Sequence, residues 1–418
     1  VAKKRIQKKG FFSHDEIGRK LSPENRSSSC GVCGLYKAAR TPKMELTGEG
    51  KKKILFVAEA PGADEDRKGV QLIGECGQLL RRFLGGLNFD LDEDAWKTNA
   101  VICRPPHNET PNDEKIDCCR PNLFQTIRKL DPNAIVILGA TPLKSIIGHV
   151  WKENPGSISQ WAGNVIPCQN PNAWIIPTYH PSYILRMRKF PDKPGNRPLE
   201  YWFRQHLKAA IEIAKTGKPW ETIIPYEKEV EVITGDKEAA EIIDGLTESG
   251  RYAAFDYETN CLKPELPKAK IVSCSICFDG KKTIAYPWYG KAVEATKRFL
   301  NSPIRKIAAN LKFEDRWSRK IAGTEVMNWW WDTMINSHII NNKEGTTGLK
   351  FQAFAFLGCP PYADHIKPYL EPPKGTPYNR IDELDIYELL KYNGLDSLHE
   401  YRLAFIQKEK ISNMKVGS

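Results

Sequence analysis

Three short segments in the second half of the chain, two with a pair of acids and one with a tyrosine and an acid, have spacings that can do chemistry. In YAAFDYETN, Asp256 and Glu258 lie two apart in an apolar run, so strand periodicity turns both side chains to one face. In ANLKFEDRW, Glu314 and Asp315 follow the run RKIAA, where a strand is expected to meet a helix. In KYNGLDSL, Tyr392 and Asp396 stand one helical turn apart on the same face. Carboxylates are the natural ligands of hard cations such as Mg²⁺ and Mn²⁺. Two such ions serve an attacking hydroxide, an anionic in-line transition state and a leaving oxygen, the three demands of phosphodiester cleavage. Each segment alone is commonplace, since an acidic pair on a strand is usually a solvated edge. Four acids drawn from three separated elements are a different matter, because they can converge.

A second group consists of thiols. The chain has 11 cysteines, an odd number, and Cys30-x2-Cys33 is followed by Cys103 and by the adjacent pair Cys118 and Cys119. That clustering argues for a metal centre in a reducing compartment and against a secreted disulfide framework. Cys-x2-Cys by itself suits structural zinc equally well.

The elements that must position these groups follow from hydrophobic pattern. From KKKILFVAEAPG onward, short apolar runs (ILFVAE, TNAVIC, AIVILG, WIIPTYH) alternate with helical stretches (GQLLRRFLGGL, NLFQTIRKL), which predicts an α/β domain with a largely parallel sheet closed by a helix over 202–215. After residue 230 the strands EVEVIT, YAAFDYET, KIVSCSICFDG and KKTIAYPW come in succession, with Asp279-Gly280 as a hairpin signal, and helices follow. The expected division is a flexible basic arm over 1–25, a first domain over 26–217, a linker over 218–232 and a second domain over 233–418.

Composition fits a nucleic-acid partner. The 418 residues suffice for two or three cores, and 62 Lys plus Arg against 51 Asp plus Glu leave a formal charge of +11, which suits a polyanion. No apolar run approaches the roughly 20 residues of a membrane helix, and VAKKRIQKKG is not followed by the hydrophobic region of a secretory signal, so no membrane association and a cytoplasmic location are expected. The opening Val and the tail KISNMKVGS leave open that the chain is a piece of a longer protein.

Taken together, the strand-borne D-x-E, the N-x-K-F-acid segment, WDTMINSHIINN with GLKFQAFAFLG, and Y-x3-D resemble the DEDDy-type 3′-5′ proofreading exonucleases over about 230–412. The resemblance implies an RNase H-like domain with a mixed sheet, in which Asp256, Glu258, Glu314 and Asp396 hold Mg²⁺ or Mn²⁺ and Tyr392 orients the attacking water. Asp315 competes with Glu314. The register counted from Asn310 favours Glu314, with Arg316 or Lys312 as the expected surface partner of Asp315.

The four-cysteine set with CRPP after its third member, AEAPGADED at 58–66 and TYHPSYILR resemble the iron-sulfur uracil-DNA glycosylases of the family 4 type. The implied fold is a three-layer α/β domain, with Cys30, Cys33, Cys103 and Cys119 on a [4Fe-4S] cluster that staples loops. Asn99 would read an extruded base, His180 would stabilise the uracil anion, and Glu59 would position water. The sequence departs from that pattern at Ala58 for Gly, Leu72 for a base-stacking Phe and Glu75 for Arg. Two readings stay open: a bifunctional glycosylase and exonuclease, or an exonuclease carrying a DNA-binding module without excision chemistry. A glycosylase-like domain ahead of a proofreading domain also resembles the front part of some bacteriophage DNA polymerases, making DNA, single-stranded or at 3′ ends, the expected partner, with a polymerase as a possible second one. RNA stays open as a substrate.

Overall fold

The computed structural model describes residues 30–152, 154–190, 198–223 and 225–414; the arm expected over 1–25 lies outside them. The chain divides into two compact units between Pro219 and Trp220.

The first unit is built on a five-stranded sheet in the order β2-β1-β3-β5-β4. The strands are β1 (Ile54–Ala58), β2 (Ala95–Asn99), β3 (Ala134–Leu138), β4 (Ile166–Cys168) and β5 (Ala173–Thr178). All neighbours are parallel except β4 with β5. Strand β1 is buried along its whole length, as expected where helices cover both faces of a parallel sheet. Helix α1 (Ala63–Lys68) follows β1. Ile54, Phe56 and Ala58 pack into a core with Leu79, Leu80 and Leu84 of α2 (Glu75–Gly85) and Phe203, Leu207 and Ile211 of the last helix of this unit, Leu199–Ala214. Leu55 and Val57 are equally buried and alternate to the opposite face. Helix α3 (Asp113–Leu130) and helix α4 (Ala140–Val150) pack on each other, and α4 packs on β1 and β3. The three layers read from the sequence are therefore present.

The second unit holds a mixed six-stranded sheet in the order β11-β10-β7-β8-β9-β6. Its strands are β6 (Val230–Val232), β7 (Tyr252–Thr259), β8 (Ile271–Cys277), β9 (Thr283–Pro287), β10 (Arg305–Ala308) and β11 (Trp329–Asp332). Strands β7, β8 and β9 run antiparallel in succession, while β10 and β11 extend the sheet in parallel. Strand β6 pairs with β9, so three residues assigned by sequence to the linker belong to this sheet. Phe255 and Tyr257 enter the core with Ala239, Ile243, Ala295 and Phe299. The opposite face, carrying Ala254, packs with Leu390, Leu395, Leu398 and Ala404 of the long helix Ile386–Met414. That helix lies close on the sheet because Gly394 has no side chain: a Cβ there would sit 2.4 Å from Val230 Cγ1. Ordinary contact needs more than 3.4 Å.

Candidate active sites

Pairing with β8 sets Asp256 opposite Ser275 and Glu258 opposite Ser273. Both serines reach the long helix: Ser273 Oγ donates to Asn393 Oδ1 (2.9 Å) and Ser275 Oγ to the Asn393 carbonyl (2.7 Å). Asn393 Nδ2 in turn donates to Asp256 Oδ2 (2.7 Å). One buried amide thus fixes the helix to the strand and one oxygen of the acid to both. One turn beyond Tyr392, Asp396 Oδ1 accepts the Tyr362 hydroxyl (2.6 Å) and pairs with Lys350 Nζ. Ligand oxygens of Asp256, Glu258 and Asp396 lie within 4.8 Å of one another, spacing that fits a shared divalent cation.

Burial raises the carboxyl pKa of Asp256 and of Glu258 well above the ordinary range, and repulsion from neighbouring acids adds to it. A divalent cation would relieve both penalties by letting the acids ionise together. Tyr392 is buried, and burial followed by the surrounding acids raises its phenol pKa, so it stays protonated and can donate.

Helix Leu311–Trp317 turns Glu314 inward, where it is 2 % exposed and Oε2 has no hydrogen-bond partner among the described residues. After burial itself, Asp256 contributes most to raising its pKa, yet Glu314 is not one of the three acids brought within 4.8 Å. Asp315 points outward. Its partner is neither Arg316 nor Lys312 but Arg319 (2.8 Å), because residues four apart share a helical face; Arg316 forks instead onto Glu265.

Sequence reasoning missed five residues here. Asp332 accepts four backbone N–H groups, from Asn310 and Leu311 at the start of the Glu314 helix and from Met334 and Ile335 at the start of Thr333–Ile340. An Asp just ahead of a helical run was its available signal. Glu400 is fully buried one turn after Asp396, and its Oε1 accepts the Ala309 N–H (3.0 Å). The spacing Tyr392, Asp396, Glu400 repeats every four residues and could have flagged it. Asn393, Lys350 and Tyr362 carried no comparable signal.

In the first unit Cys30, Cys33, Cys103, Cys118 and Cys119 line one pocket with Tyr36, Val101 and Ile102. The Lys43 N–H points to Cys103 Sγ (3.2 Å) and the Ile102 N–H to Cys119 Sγ (3.4 Å), as suits sulfurs that carry negative charge. Cys119 is the more buried of the adjacent pair, and burial pushes its thiol up to about 12. Such a thiol ionises only with a cation to hold it, and an all-thiol, otherwise apolar lining fits an iron-sulfur cluster.

The other three expected residues sit at the C-terminal ends of parallel strands, where open α/β sheets bind ligands: Glu59 after β1, Asn99 ending β2 and His180 after β5. Glu59 Oε2 accepts the Thr141 hydroxyl (2.8 Å). Asn99 is 2 % exposed and donates Nδ2 to Gln71 Oε1, while Gln71, fully buried, donates Nε2 to the Glu45 carbonyl (3.0 Å). His180 Nδ1 accepts the Ser182 N–H (3.1 Å), capping the helix Pro181–Met187. Burial holds the His180 pKa down to about 4, so the ring is neutral and its proton belongs on Nε2, a donor. Leu72 adopts a left-handed backbone (φ 53°) and packs into the core. Gly77 makes room for it, since a Cβ would lie 1.8 Å from the Leu72 carbonyl oxygen. Glu75 is exposed as the first residue of α2.

The sheet, the strand-end polar residues and the cysteine pocket define the class: residues 46–203 match the uracil DNA glycosylase superfamily. Within it, the chain is 36% identical over 180 residues to the type-4 uracil-DNA glycosylase of Thermotoga maritima, spanning 43% of this chain and 88% of that one. Through its first unit, the chain belongs to the type-4 uracil-DNA glycosylase family. The similarity to the DNA polymerase of Bacillus phage SP01 reaches further, 24% identity over 328 residues, covering 71% of this chain but 33% of the polymerase. Among solved structures, Escherichia coli RNase D is 14% identical and covers 44% of this chain and 45% of its own (TM-score 0.35). Brucella melitensis NrnC with bound Mg²⁺ is 17% identical over 44% of this chain and 81% of that one (TM-score 0.32). No described helix is long and apolar enough to cross a membrane.

Proposed function

We propose that the second unit is a two-metal 3′-5′ exonuclease that removes mononucleotides from DNA. The observation that carries this reading is the convergence of Asp256, Glu258 and Asp396 within 4.8 Å, one turn from Tyr392. Those three acids would hold Mg²⁺ or Mn²⁺, with Glu314 buried beside Asp256 as the fourth acid. Bound there, divalent cations supply Lewis-acid charge for hydrolysis of the terminal phosphodiester. The Tyr392 hydroxyl orients the attacking water. The water's oxygen bonds to phosphorus as the bond to the 3′-oxygen breaks, and a proton passes to that leaving oxygen. Asn393, Tyr362 and Lys350 keep the acids in place. A DNA polymerase as partner and DNA in place of RNA are supported by the glycosylase family membership and the phage polymerase similarity.

The test is end-labelled single-stranded DNA incubated with Mn²⁺. Stepwise loss from the 3′ end that disappears in Asp256→Ala is expected. Loss that persists in that variant would remove the proposal.

The first unit, in this proposal, holds a [4Fe-4S] cluster on Cys30, Cys33, Cys103 and Cys119 and engages DNA without efficient excision of uracil, because Asn99 already gives its amide to Gln71 and Leu72 packs inward. A second reading, active uracil excision, is favoured by the neutral His180 donor and by Glu59 at the strand ends. Alkaline cleavage at uracil after treatment with the Asp256→Ala protein decides between them.

A further inference from the structure

Lys350 is the second residue of the helix Leu349–Leu357, and its ammonium meets the nuclease site from the solvent side. The side chain is 34% exposed while its partner Asp396 is 7% exposed. Its Nζ pairs with Asp396 Oδ1 and lies 4.3 Å from the centre of the Tyr392 ring and 4.5 Å from that of Tyr362. Tyr362 donates to the same oxygen (2.6 Å), so Oδ1 has two protein partners. One ammonium therefore bears on a cation-binding acid and on the phenol assigned to the attacking water. A surface ion pair would touch neither.

We propose that Lys350 is a positioning residue of the exonuclease site, holding Asp396 and Tyr392 in register while its positive charge opposes entry of the divalent cation. The inference rests on the exonuclease reading above. Attraction between an ammonium and an aromatic face fixes the ring, and the pairing with Oδ1 fixes the carboxylate. The same charge, a few Å from a second cation, weakens that cation's binding, because like charges at this range repel strongly even when solvent screens them. Removing the ammonium should thus move affinity and rate in opposite directions. Loss of a merely structural contact would loosen the acids and weaken both.

The experiment uses the full chain. Mn²⁺ binding is titrated by calorimetry on the wild type, Lys350→Met, Lys350→Gln and Lys350→Arg, and degradation of single-stranded DNA is measured at saturating Mn²⁺. Lys350→Met is expected to bind Mn²⁺ on the order of tenfold more tightly and to degrade DNA at least about tenfold more slowly. Lys350→Gln should follow it, and Lys350→Arg should keep the wild-type affinity. Equal or weaker Mn²⁺ binding in both neutral variants, or an unchanged rate at saturation, overturns the inference. A melting curve for each variant identifies misfolding, in which case Lys350→Gln decides. Asp256→Ala serves as the control for where Mn²⁺ binds. A wild type that binds Mn²⁺ through Asp256 but degrades no DNA defeats the exonuclease reading, while the affinity comparison still decides whether Lys350 opposes the cation.

Discussion

In the second unit Asp256 and Asp396 each have one oxygen bound by the protein and crowd with Glu258 to within 4.8 Å, whereas in the first unit Asn99 donates to Gln71 and Glu59 receives Thr141. Both arrangements satisfy buried polar groups. One does so while crowding acids together, a state that either protons or a cation must resolve. The other is a neutral pair of amides, and a base would have to compete with Gln71 for one N–H of Asn99. Hydrogen-bond partners thus separate a site poised for a ligand from one occupied by its own chain, even where the expected residues are present in both.

The sharpest way to break the comparison is Asp256→Asn. Nuclease activity is expected to fall by about a thousandfold or more, while the melting temperature without metal rises, because one member of a repelling buried set becomes neutral. A fall in both would mean that the acids are structural. Next in size, Gln71→Ala in an Asp256→Ala background releases the Asn99 amide. Uracil excision, read by alkaline cleavage, is expected to rise about tenfold, the equivalent of about one hydrogen bond. No rise would show that Gln71 is not what restrains Asn99. Gly394→Ala should destabilise the second unit by about 1–3 kcal/mol in denaturant unfolding, since the new methyl must displace Val230.

The smallest effect is a pH dependence. Asp256 and Glu258 have pKa values raised in the folded state, so their contribution to stability is present below the ordinary carboxylate range and is lost as pH rises through the raised values. A divalent cation replaces the protons. The shift in melting temperature caused by Mn²⁺ should therefore be larger at about pH 8 than at about pH 6, and a shift independent of pH would contradict protonated acids in the metal-free site.

Much of this was legible in the chain. Alternation on β7 put Asp256 and Glu258 on one face, and a four-residue step put Tyr392 and Asp396 on one helical face, because both periods are properties of the backbone. The choice of Glu314 over Asp315 rests instead on the motif register counted from Asn310 in the exonuclease resemblance. Asn393, Tyr362 and Lys350 were not legible, since their roles lie in contacts with residues 34 to 137 positions away, and of Asp332 only the capping of its own helix was legible, not its bonds to Asn310 and Leu311, 22 and 21 positions back. Glu400 was hidden for another reason: an acid on a long polar helix ordinarily faces water. In the first unit the substitution of Leu72 for an aromatic residue was plain from sequence, but its left-handed backbone and inward packing were not, and neither was the pairing of Gln71 with Asn99.

Asp332 has a mechanical consequence. Because one carboxylate terminates both the Glu314 helix and the helix Thr333–Ile340, the two share a pivot. The second of them carries Ile335 and Ile339, 46% and 60% exposed. One side chain thus ties the helix that bears two exposed isoleucines to the helix that bears the buried Glu314.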